Sequence, residues 1–81
     1  MNMERAQMRV KLANLNQRQK RLEMHVDELC TTIRANLNTA LTPVGDLLVP
    51  ETAGQMDELV AVWGELQVVQ SEIARLDREL E

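Results

Sequence analysis

The sequence predicts an all-α fold: an antiparallel two-helix coiled-coil hairpin that dimerises into a four-helix bundle. Three observations predict it. Apolar residues recur at steps of three and four over two long stretches. A short segment carrying Pro43, Gly45, Pro50 and Gly54 separates those stretches. The first stretch is basic where the second is acidic.

The first helix is expected near residues 3–41. Met8, Leu12, Leu15, Leu22, Val26, Leu29 and Ile33 keep the heptad spacing with one polar gap at Gln19, and neither Gly nor Pro interrupts. Asn2 offers a side-chain cap, and Pro43 biases Thr42 away from helical geometry. Beyond Ile33 the stripe changes step, through Leu37 and Leu41, while Asn36, Asn38 and Thr39 lower helix propensity. The end of this helix should therefore be its weakest part.

A loop over 42–52 follows, with Leu47, Leu48 and Val49 expected to fold over the open end of the helices. Thr52 with Gln55 matches the spacing of a capping box, which starts the second helix near Ala53 and runs it over 53–80. Leu59, Leu66, Ile73 and Leu80 take heptad position a there, and Val62, Val69 and Leu76 take d. The whole chain, 1–81, reads as one helical-hairpin domain.

Charge sets the alignment. The g positions of the second helix are Glu58, Glu65, Glu72 and Glu79, whereas those of the first are Lys11, Arg18, His25 and Thr32. Up to Leu22 the chain carries six bases and one acid, net +5; beyond it stand three arginines and twelve acids, net −9, which together give −4. In an antiparallel pair, facing residues have numbers of constant total. Pairing Lys11 with Glu79, Arg18 with Glu72 and His25 with Glu65 places Leu15 opposite Ile73 and Leu22 opposite Leu66, a core total of 88. Arg9 then meets Asp77, and Asn16 falls opposite Gln70. A register one heptad along, at 95, leaves Lys11 and Arg9 unpartnered.

Composition narrows the function classes. In 81 residues there is one cysteine, one histidine, one tryptophan and no Phe or Tyr, so neither a disulfide nor a structural metal can staple so small a chain. A second copy of the chain is the expected remedy. No apolar run approaches the ~20 residues of a membrane span, and nothing resembles a signal peptide, so a soluble, cytoplasmic protein is expected. His25 with Glu28 lacks the further ligands of a helical metal site. Cys30 has no base beside it. With no Gly-rich phosphate loop and no nucleophile motif, neither enzymatic activity nor a cofactor is expected.

What remains is protein–protein interaction or assembly: a small adaptor, chaperone-like or structural subunit. The apolar residues off the seam near the corner are expected to carry self-association or partner binding: Trp63, Met56, Val60, Leu37, Leu41, Leu47 and Leu48. Gly64, beside Trp63, is expected to admit a close-packed partner helix. The runner-up is a small nucleic-acid-associated regulator using Arg5, Lys20 and Arg21 on the basic segment RVKLANLNQRQKRL and its approach. Nucleic acid is the less favoured partner, because Lys11, Arg18 and Arg9 have acids to pair with, which leaves only Lys20, Arg21 and Arg5 for phosphates, no aromatics interleave for stacking, and the net charge is negative.

Overall fold

The computed structural model describes residues 3–81 and is built from two long helices, α1 (Met3–Asn36) and α2 (Val49–Leu80), with a single 3-10 turn, Val44–Asp46, between them. The helices pack along their length as a hairpin measuring 65 × 17 × 15 Å, and no strand occurs among the described residues. The expected cap Asn2 lies outside those residues.

α1 stops five residues short of the expected Leu41, where its propensity falls. Asn38 ends it: its Oδ1 accepts from the Ala40 amide at 3.0 Å, and its carbonyl accepts from Leu41 N and Thr42 N at 3.3 and 3.1 Å. An Asn side chain that bonds the backbone two residues on offers the chain a turn in place of another helical hydrogen bond.

α2 starts at Val49, four residues before the expected Ala53. Pro50 falls in its first turn, where a missing N–H costs nothing and the fixed φ suits the helix. Thr52 is therefore not a cap. It lies inside the helix, buried, and its Oγ1 donates back to the Leu48 carbonyl at 2.6 Å. Leu48 occupies the N-cap without a side-chain bond. Of the triplet expected to cover the corner, only Leu47 is half-buried; Leu48 and Val49 are exposed.

The core is a thin seam of Leu22, Leu29, Leu66, Val69 and Leu76. Leu22, Leu66 and Val69 cluster together, with Leu15, Val26, Val62 and Ile73 packed against them. This membership matches the alignment at 88, which sets Leu22 against Leu66, Leu15 against Ile73 and Val26 against Val62. Bonds at the two ends bracket it. Arg5 Nη2 donates to the Leu80 carbonyl at 2.8 Å, and Asn36 Nδ2 to Gln55 Oε1 at 2.7 Å, pairs totalling 85 and 91.

Candidate interaction surface

The hairpin has two flanks beside its seam, and they differ. One is formed by the g positions, the residues before each a. Lys11 Nζ lies 3.1 Å from Glu72 Oε1, Arg18 pairs with Glu65, and His25 Nε2 is 3.0 Å from Glu58 Oε1, a contact that is ionic only when the imidazole is protonated. The basic and acidic rows do face each other. The partners, however, are each one heptad nearer the corner than expected, totalling 83 rather than 90.

Arg75 adds a second set of bonds on the same face. Three residues after Glu72 and four before Glu79, it holds both carboxylates, Glu79 at 2.8 Å, as neighbours on one helix face do. Glu79 is thus engaged within α2, and Glu72 is shared between Arg75 and Lys11. Five residues off the core alignment is roughly 7.5 Å of helix rise, which these side chains span by slanting along the axis; against a core at 95 the gap would be roughly 18 Å. The hydrogen bonds from Arg75, then from Lys11, hold the Glu72 carboxyl down at about 2, and Glu72 in turn raises the Arg75 guanidinium above its ordinary value. The i,i+3 and i,i+4 spacing of Arg75 was the signal that the sequence offered for these bonds.

The opposite flank carries the e positions, the residues after each d: Arg9, Asn16, Glu23 and Cys30 on α1, with Leu37 just past its end, and Met56, Trp63, Gln70 and Asp77 on α2. Among the described residues no ion pair spans it. Arg9 and Asp77, expected to meet, are not bonded, nor are Asn16 and Gln70, and Glu23 accepts instead from Gln19 at 2.8 Å on its own helix. Toward the corner this flank turns apolar. Met56, Val60 and Trp63 form one stripe of α2, and Trp63 is 55% exposed. Leu37 and Leu48 stand open near them, Leu41 is exposed at 83%, and Leu47 is half-buried. Exposed Val49 and Val44 extend the apolar corner; Val44 was not part of the sequence reading.

Gly64 borders this stripe on its outer side, one turn after Val60. A Cβ built there would meet nothing within 4 Å, and its φ is not positive. Nothing inside the hairpin requires a glycine at this position.

Among the described residues no three His, Cys, Asp or Glu side chains gather, and Cys30 is a half-exposed free thiol. The surface depressions are each bordered by one helix, α2 from Gln67 to Arg78 or α1 from Glu4 to Lys11. No helix among the described residues is long and apolar enough to cross a membrane.

Family models, characterised proteins and solved structures gave no match. The three bases of the nucleic-acid reading do not converge. Arg5 is engaged with the Leu80 carbonyl, while Lys20 and Arg21 are exposed on α1, fifteen residues or roughly 22 Å farther along the helix.

Proposed function

We propose that this protein is a non-enzymatic protein–protein interaction or assembly module whose binding face is the apolar end of the e flank. One observation carries the reading: Met56, Val60 and Trp63 form an exposed stripe beside Leu37, on the flank that closes no charge pairs of its own. Each such side chain gains ~1.5–3 kcal/mol when fully buried, and an exposed Trp at the end of an apolar stripe is a residue type enriched among interface anchors. The thin seam supports the same reading, since a hairpin with five buried hydrophobic residues has little stability to spare for apolar surface left in water. We place its working location in the cytoplasm, where a half-exposed cysteine stays reduced.

The test is differential capture. Tagged wild-type protein and a Val60→Glu variant of equal helicity are recovered from the native host. A protein held by the first and lost from the second supports an interaction face at this stripe. Identical sets of captured proteins overturn it.

A further inference from the structure

The hairpin exposes 5956 Å² for a mass of 9.2 kDa. Compact monomers of that mass expose about 4,900 Å², so roughly 1,000 Å² is in excess. That is close to the ~800 Å² which each partner contributes to a stable dimer. On the g flank Lys11, Arg18 and His25 already contact glutamates of their own chain, whereas the charges of the e flank have no such cross-helix partners among the described residues.

The e flank is complementary to a copy of itself. Level by level along the 88 alignment, Arg9 stands with Asp77, Asn16 with Gln70, Glu23 with Trp63 and Cys30 with Met56, yet no hydrogen bond or ion pair joins either of the first two pairs within the chain. A two-fold axis parallel to the long axis of the hairpin lays α1 of one copy along α2 of the other, antiparallel and at the same levels. It brings each Arg9 to the Asp77 of the second copy at the open end and seats each α2 stripe against α1 of the other copy, at the levels of Glu23 and Cys30, toward the corner end. A two-fold perpendicular to the long axis would instead set charged levels against apolar ones.

We infer that the occupant of the e flank is a second copy of this chain, the two hairpins lying side by side with both corners at the same end and Arg9 of each paired with Asp77 of the other. The inference rests on the interaction reading above and names its partner. Both hairpins then contribute one charge of each sign to the open end, and every neighbouring pair of helices in the resulting bundle is antiparallel.

Sedimentation equilibrium of the full chain at micromolar concentration tests it, with helicity followed by circular dichroism. Wild type should sediment at twice the chain mass. Arg9→Glu and Asp77→Arg should each weaken the dimer, on the order of tenfold in dissociation constant, since each reverses two exposed pairs. An equimolar mixture of the two variants should recover wild-type affinity, because the mixed dimer restores both pairs between chains. A well-folded wild-type monomer overturns the inference, as does a mixture no tighter than its components, which is what pairing within a chain or another orientation predicts. A monomer that still loses a captured protein on Val60→Glu would sink the second copy while leaving the interaction face intact.

Discussion

Asn36 at the end of α1 donates to Gln55 in the second turn of α2, 2.7 Å across the mouth of the corner and nineteen residues along the chain. With buried Thr52, whose hydroxyl bonds the Leu48 carbonyl, it makes the last layer of the seam polar. A heptad slip would separate the two amides, so this bond specifies register as single polar core residues do in coiled coils. Replacing Asn36 or Gln55 by Ala should each cost about 0.5–1.5 kcal/mol, or several degrees of melting temperature in a chain this small. The double replacement should cost less than the sum of the singles, and strict additivity in thermal melts would show that the bond does not couple the helices.

Leu66 and Leu22 sit in the central cluster, and with so few buried layers each matters more than in a larger core. Leu66→Ala should destabilise by about 2–5 kcal/mol through lost burial and an unfilled space. Urea denaturation followed by helicity would detect this as a steep fall in midpoint. A loss under about 1 kcal/mol would mean that the seam is not what holds the helices together.

Glu72 titrates low because Arg75 and Lys11 both bond its carboxylate. Its folded pKa, about 2, lies below the ordinary 4.5, so the stabilisation from this pair is complete above about pH 4.5 and fades as the pH falls toward 2. Carboxyl NMR titration should place Glu72 well below the other glutamates at low salt. Arg75→Ala should raise it more than Lys11→Ala does, and the opposite order would contradict the geometry.

Gly64→Ala should stabilise the isolated hairpin by about 1 kcal/mol, the difference in helix propensity, because the added methyl meets nothing in the chain. If a partner helix packs closely at this outer edge of the Trp63 stripe, the same variant should weaken self-association. Thermal melts at low concentration read the first effect, and sedimentation reads the second. Stabilisation with undiminished association would show that close packing at Gly64 plays no part.

Fold and orientation were legible because heptad spacing fixes which stripe is buried, and the opposed charge rows require that α1 and α2 run antiparallel. Helix ends were less so. Pro50 reads as a breaker by residue type, yet position decides its effect, and in a first turn it is harmless. Thr52 and Gln55 fit the spacing of a cap while serving inside the helix, and local spacing does not reveal that Leu48 O would be within reach of the Thr52 hydroxyl. The ion-pair partners were misassigned by one heptad because long side chains reach along the helix axis, so facing levels do not fix which glutamate a base takes. The apolar stripe at Met56, Val60 and Trp63 was visible from the start as residues the narrow seam has no place for.

The bond from Arg5 to the Leu80 carbonyl fastens the first turn of the polypeptide to its final one. The hairpin therefore leaves and returns at a single point, like an arm hinged at the shoulder. Trp63 rides about 30 Å out along that arm, some twenty residues of helix from the fastening. Grafted into a surface loop of another protein, the hairpin would project its grip clear of the host without asking the host's own chain ends to move apart.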